Sequence, residues 1–209
     1  FLKLAKAREA AFKPLDLLAK LLPVYAELLR RLQAAGADWV QIDEPVAVLD
    51  LSEGERHALA VAYQALSKAA PDLKILLATY FGGLEDNLEA VTALPVAGLH
   101  VDLVRAPGAF EAVLKALPAG RVFSLGVIDG RNIWRADLAA IVTRLEVAIA
   151  ARGLEAFQIA PSCSLLHVPV DLELETGLDA DLKSWLSFAT QKLDELATLG
   201  KALGEGKAT

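Results

Sequence analysis

The chain has 209 residues, 55% of them hydrophobic, a mean hydropathy of +0.40 and a net charge of −6. That length suffices for one domain with a sizeable core, and a negative balance without any long basic run repels a phosphate backbone, which excludes nucleic acid as an expected partner. A single cysteine allows no internal disulfide and suits a reducing cytoplasm. The apolar runs break well short of the ~18 to 20 residues a membrane span needs, so no membrane segment is expected.

Apolar periodicity switches repeatedly between strand and helix, the pattern of βα units around a parallel sheet. The first strand is expected at Phe1 to Ala5. Leu18, Leu21, Leu22, Tyr25, Leu28, Leu29 and Leu32 then form a wide stripe at helical spacing. A second strand runs from Trp39 to Asp43, and Pro45, which has no N–H, stops it. Asp43 and Glu44 are thereby delivered to a strand's carboxyl end, where parallel α/β folds bind ligands and do chemistry. Ser52 followed by Glu55 reads as a capping box opening the next helix. A third strand spans Ile75 to Tyr80 and a fourth Leu99 to Val104, with a short helix between them marked by Leu84, Leu88, Val91 and Leu94. Phe110, Val113, Leu114 and Leu117 mark another helix before a fifth strand, Val122 to Ile128. Asp137 to Ala151 is helical, Ala156 to Ala160 is the sixth strand, and a last helix runs from Asp179 to about Leu203 with Leu182, Trp185, Leu186, Ala189, Leu193 and Leu196 inward. Residues 1–203 form one domain, and Gly204 to Thr209 is expected to be a frayed tail.

The chemistry-bearing residues are few. Adjacent residues on a strand point to opposite faces, so at most one of Asp43 and Glu44 enters the mouth of the sheet; it could serve as acid or base, or simply pair with a basic neighbour. His100 lies within a strand and reads as a satisfied core histidine. His167, in the loop after the last strand, is the better functional candidate, and His57 sits on a solvated helix face. The histidines show no H-x-x-x-H or H-x-H spacing, so a sequence-local metal site has no support. Asp129-Gly130-Arg131-Asn132 ends the fifth strand, and Arg131 and Arg135 could meet an anion there. Gly82-Gly83 and Gly126 belong to no nucleotide-binding pattern.

Four stretches carry a resemblance: Trp39-Val-Gln-Ile-Asp-Glu-Pro45; Leu94-Pro-Val-Ala-Gly-Leu-His-Val-Asp-Leu-Val104; Gly130-Arg-Asn-Ile-Trp-Arg-Ala-Asp-Leu138; and Ser162-Cys-Ser-Leu-Leu-His167. With Leu182-Lys-Ser-Trp185 following, they resemble, in order and spacing, the cobalamin-independent methionine synthase family over nearly the whole chain. That family is built from two related (βα)8 barrels, and these motifs resemble the amino-terminal, non-catalytic one. The resemblance implies an α/β fold that is an incomplete piece of a TIM-type barrel, of about six βα units. A closed barrel of this kind has roughly 250 residues. The chain starts at Phe1 and contains no Met, so it is expected to be an internal piece of a longer protein.

The same resemblance implies a methyltransferase as the whole protein, moving a methyl group from 5-methyltetrahydropteroyltriglutamate to homocysteine with zinc. The partner of this piece is then the carboxyl-terminal catalytic barrel of the same polypeptide. The family's zinc ligands are a His and a Cys two residues apart, an acidic residue and a later Cys; the corresponding positions carry Ala78, Tyr80, Asp102 and Cys163. Ala has no donor atom and a tyrosine phenol is a poor zinc ligand. The expectation is therefore no catalytic, cofactor-binding or metal residue in this chain, with Cys163 a small buried hydrophobe. Arg131 and Arg135 could meet the folate's polyglutamate tail, although the family's tail contacts lie in a basic segment absent here. The alternative is a stand-alone barrel enzyme that uses Glu44 and Asp102, converging in one pocket, for acid/base work. A six-strand arc would leave its first and last strands as open edges, so self-association is expected.

Overall fold

Five strands pair in parallel and in chain order: β1 (Trp39–Asp43), β2 (Lys74–Ala78), β3 (Gly98–Asp102), β4 (Val122–Ile128) and β5 (Phe157–Pro161). The structure is a computed structural model and describes residues 1–6, 8 and 12–205. Helices alternate with the strands: α1 (Leu18–Ala34), α2 (Glu53–Ala69), α3 (Leu88–Thr92), α4 (Ala109–Ala116), α5 (Leu138–Arg152), α6 (Ala180–Trp185) and α7 (Ala189–Glu205). A doubly wound sheet reverses its strand order at a switch point, whereas a (βα)8 barrel adds each strand beside the last. The unbroken order β1-β2-β3-β4-β5 is that of a barrel arc.

Alternation along each strand decides which face meets the helices. Val40, Ile42, Ile75, Leu77, Leu99, Val101, Phe123, Leu125 and Ile159 join the main hydrophobic core with α1, α2 and α5 side chains such as Leu29, Tyr63, Leu66 and Leu145. Each fully buried Leu or Phe among them contributes about 2 kcal/mol. The alternate positions, Gln41, Leu76, His100, Ser124 and Gln158, form the opposite, more polar face. In register, Gln41 lies beside Leu76, and His100 beside Ser124, which lies beside Gln158. A sheet covered by helices on one face and lined by mixed polar side chains on the other is what curvature into a barrel wall requires.

The capping box forms as read: Ser52 Oγ accepts from the Glu55 amide and the Glu55 carboxylate accepts from the Ser52 amide at 2.8 Å. Lys3, 2.5 Å away, together with that backbone bond, holds the Glu55 carboxyl down to about 2. Three expectations are corrected. Phe1 to Ala5 is not a strand. Leu2–Leu4 makes a single 3₁₀ turn, with Leu4 and Ala5 amides bonded to the Phe1 and Leu2 carbonyls, and Leu2 is buried. Among the described residues there are therefore five strands rather than six. The third and fourth expected strands begin one residue earlier and stop two residues sooner than read, because Phe81 at φ 77° and the Asp102 carboxylate turn the chain.

The expected last helix is two helices. Between α6 and α7 the chain is drawn into an antiparallel bridge from Leu186 to Trp134, with the Arg135 amide on Trp185 O at 2.9 Å and the Ser187 amide on Ile133 O at 2.8 Å. The bend leaves Trp185 and Leu193 exposed rather than inward, while Leu186 and Phe188 form a small second core with Leu172. α7 continues through Gly204 and Glu205, where a frayed tail was expected; the rest of that expectation, 206–209, lies outside the described residues.

Among the described residues the sheet ends at β1 on one side and β5 on the other. Unpaired parallel edges template further strands. Expressed as these 209 residues alone, the chain should dimerise, exchange elements or aggregate, and light scattering behind a sizing column reads this directly; a dilution-resistant monomer with a cooperative melt would contradict it.

Candidate functional site

The carboxyl ends of the strands gather most of the residues singled out in the sequence. Asp43 is on the concave side, where it accepts from Gln41 Nε2 at 2.7 Å and from Tyr80 Oη at 3.2 Å. Partial burial, and then the Asp43 charge, push the Tyr80 phenol up to about 12. Glu44 points the other way. Its Oε2 accepts from Tyr63 Oη at 3.3 Å, at the base of an apolar cavity of about 220 Å³ between Phe1–Lys3, α1 and α2. Burial raises the Glu44 carboxyl and pushes the Tyr63 hydroxyl far above its ordinary value. The turn Pro45–Val48 that follows the two carboxylates is pinned by Asn87, whose Nδ2 donates to Ala47 O and Leu49 O at 2.8 and 2.7 Å.

Asp102 is buried and fully engaged. Oδ2 accepts the Phe81 amide at 3.0 Å, and Oδ1 accepts the Val104 and Arg105 amides at 3.0 and 2.8 Å. It ties the end of β2 to the end of β3. Phe81, held with positive φ by that bond, presents its ring to the mouth. Tyr80 and His167 meet the ring edge-on at 4.6 and 5.7 Å, and the Arg131 guanidinium lies 4.8 Å from its centroid. A cation over an aromatic face is worth about 0.5–1 kcal/mol at an exposed site.

His100 is the core histidine expected: Nδ1 is 2.9 Å from Ser124 Oγ and Nε2 3.4 Å from Ser162 O, and burial lowers its pKa. Cys163 lies beneath Gly130, where an added Cβ would come within 2.7 Å of Cys163 O and 3.0 Å of Sγ. Only glycine fits there. Burial pushes the Cys163 thiol up, which favours its protonated form. His57 is exposed on α2.

The structure separates two pairs that sequence reasoning kept together. Arg131 stacks at the mouth, whereas Arg135 donates to Ser184 O at 3.2 Å on the far side of the same loop. Glu44 and Asp102, the pair required by the alternative enzyme reading, face opposite sides of the sheet and share no pocket, since Val101 and Ile42 turn toward the helices and Asp102 and Asp43 do not. Among the described residues no three His, Cys, Asp or Glu side chains are placed to share a metal ion. Sequence reasoning missed Phe81, although the Gly82-Gly83 that follows it marks the turn, and it missed Lys192, which nothing local distinguishes from the other lysines of α7.

A one-sided parallel arc with its loops and charged residues gathered at the strand carboxyl ends defines a (βα)-barrel domain of the α/β class. Residues 1–152 match the sequence profile of the cobalamin-independent synthase N-terminal domain, and the chain belongs to that family. It is 62% identical over 207 residues to a 5-methyltetrahydropteroyltriglutamate–homocysteine methyltransferase of Mesorhizobium japonicum, covering 99% of this chain and 27% of that protein. Proteins of the same description from Nitrobacter winogradskyi and Caulobacter vibrioides are 59% and 56% identical over 209 residues, all of this chain and 27% of each relative. The chain thus spans about a quarter of the length of these relatives. A solved Listeria monocytogenes protein, assigned as a vitamin-B12-independent methionine synthase, shares the fold with a TM-score of 0.60 at 18% identity, over 90% of this chain and 54% of that one.

Two substitutions test the opposed roles of the carboxylates. Asp102→Ala strands three backbone donors in a buried setting and should cost about 3 kcal/mol or more, read by denaturant unfolding. Glu44 has its folded pKa raised above its unfolded value, so its contribution is fully present below about pH 4.5 and is lost as pH rises through the folded value. Glu44→Gln should therefore gain stability relative to the parent between about pH 4 and pH 7. A constant difference across that range would remove burial of the charged form as the cause.

Proposed function

We propose that the chain is part of the amino-terminal, non-catalytic barrel of a cobalamin-independent methionine synthase, forming residues 1–203 of one partial barrel domain and acting as scaffold and folate-side wall. The observation that carries this reading is 62% identity across 99% of the chain to a methyltransferase of which it spans 27%. In the whole protein the reaction is methyl transfer from 5-methyltetrahydropteroyltriglutamate to homocysteine, giving methionine in the cytoplasm. In support of a soluble setting, no helix among the described residues is long and apolar enough to cross a membrane.

Zinc would supply an activated homocysteine thiolate in such an enzyme. The four corresponding residues of this chain do not fit the metal. Ala78 offers no donor, the Tyr80 hydroxyl is engaged with Asp43, the Asp102 oxygens are taken by three amides, and the Cys163 thiol is held toward its protonated form. In this reading the metal is held by the part of the protein outside these residues. The surface available to that part is the loop face after β4 and β5, where Trp134, Leu166, Val170, Leu174 and Trp185 are between 52% and 94% exposed. Apolar surface of that kind marks an interface, and the remaining three-quarters of the relatives' length supplies an occupant in the same polypeptide.

The full-length gene product should make methionine from homocysteine and the triglutamate folate, and the 209-residue chain alone should make none. Turnover by the chain after removal of contaminating full-length enzyme would overturn the scaffold reading.

A further inference from the structure

Three loops meet on the Phe81 ring. Phe81 comes from the loop after β2, while Arg131 lies over the ring from the loop after β4 and His167 meets its edge from the loop after β5. Arg131 and His167 are exposed, and Phe81 is 38% exposed. Among the described residues neither the guanidinium nor the imidazole makes a hydrogen bond or an ion pair. A guanidinium carries five N–H donors in its own plane, so one that rests on a ring can still take a carboxylate along its edge.

The groups around this pair hold it in place. Phe81 at φ 77° and Glu85 at φ 41° flank Gly82-Gly83, and non-glycine backbone of that kind gathers at ligand clamps. Asp129 accepts the Arg131 amide at 2.7 Å and Asn132 Nδ2 at 2.9 Å. Asn132 Oδ1 and Trp134 O in turn accept from the buried Lys192 ammonium at 3.2 and 3.1 Å, which ties the Arg131 loop to α7. Ser164 Oγ accepts the Leu166 amide at 3.3 Å and fixes the turn that carries His167. A site ordered in advance loses little freedom on binding.

The neighbouring acids select the anion. Asp43, Asp102 and Asp129 stand around the mouth, each engaged by nearby donors and none on the guanidinium. Their field opposes a compact dianion such as phosphate. A single carboxylate next to a flat aromatic body meets one free cation, one imidazole and one ring edge. The aminobenzoyl-glutamate junction of a folate has that form.

We propose that Arg131 and His167 hold the α-carboxylate of the first glutamate of the folate tail, with the aminobenzoyl ring beside Phe81. The proposal rests on the folate-side reading above and gives it contact residues.

Calorimetry on the full-length gene product tests it, with p-aminobenzoyl-glutamate, free triglutamate and inorganic phosphate at matched ionic strength. p-Aminobenzoyl-glutamate should bind saturably. Its affinity should fall about fivefold or more in Arg131→Gln, from loss of a bidentate charged contact at an open site, and about twofold in His167→Asn. Arg135→Gln, which removes the same charge from the far side of the same loop, should change it by less than that. Absence of saturable heat overturns the site, as do equal losses in Arg131→Gln and Arg135→Gln, which would mark a long-range charge effect. Tighter binding of phosphate or free triglutamate overturns the assignment to the first glutamate. In turnover, Arg131→Gln should raise KM for the triglutamate folate about fivefold and leave KM for homocysteine within about twofold. A full-length product that makes methionine with both values unmoved removes the site and leaves the folate reading; one that makes no methionine yet binds the probe through Arg131 removes the folate as occupant. If Arg131→Gln does not fold, Arg131→Lys decides, since it keeps the charge and loses the fork, and an unchanged probe affinity then counts against the proposal.

Discussion

The mouth of this barrel arc depends on one buried carboxylate. Asp102 collects the amides of Phe81, Val104 and Arg105, and so fixes where β2 and β3 end and how both chains leave the sheet. Phe81 keeps its positive φ because that bond holds its amide; an unusual backbone of this kind costs about 1–3 kcal/mol and persists only when its surroundings over-determine it. The ring so placed is the platform for Tyr80, His167 and Arg131. A residue at the position expected of a catalytic acid in an α/β fold is thus spent on architecture.

The same economy runs across the concave face. His100 is held by Ser124 and Ser162, Asp43 by Gln41 and Tyr80, and Gly130 leaves room for Cys163. Satisfied polar groups of this kind rigidify a wall and leave few of them free to do chemistry. The strand ends are ordered by these contacts, and the groups that make them are held by one another.

Much of this was legible in the sequence, because alternation and capping are local. The Trp39–Asp43 strand, its stop at Pro45 and the Ser52–Glu55 box follow from residues within a few positions of one another. The opposite facing of Asp43 and Glu44 follows from strand geometry alone. Phe1 to Ala5 failed because the segment closes a 3₁₀ turn on its own carbonyls and buries Leu2 instead of pairing with the free edge of β1. The break before α7 was hidden because helical periodicity runs through it; the bridge to Trp134 that bends it comes from about fifty residues upstream. Lys192 was hidden for the same reason, since its acceptors Asn132 and Trp134 lie 60 and 58 positions away.

That bridge has a consequence for how the chain can change. Ile133 to Arg135 and Trp185 to Ser187 are stitched residue for residue, with α5 beginning three residues after one stitch and α7 two residues after the other. Adding or deleting a single residue in either segment would rotate a helix by about 100° relative to the sheet. Substitutions can be absorbed along these loops, whereas a change in length would break one stitch or turn a helix off the sheet.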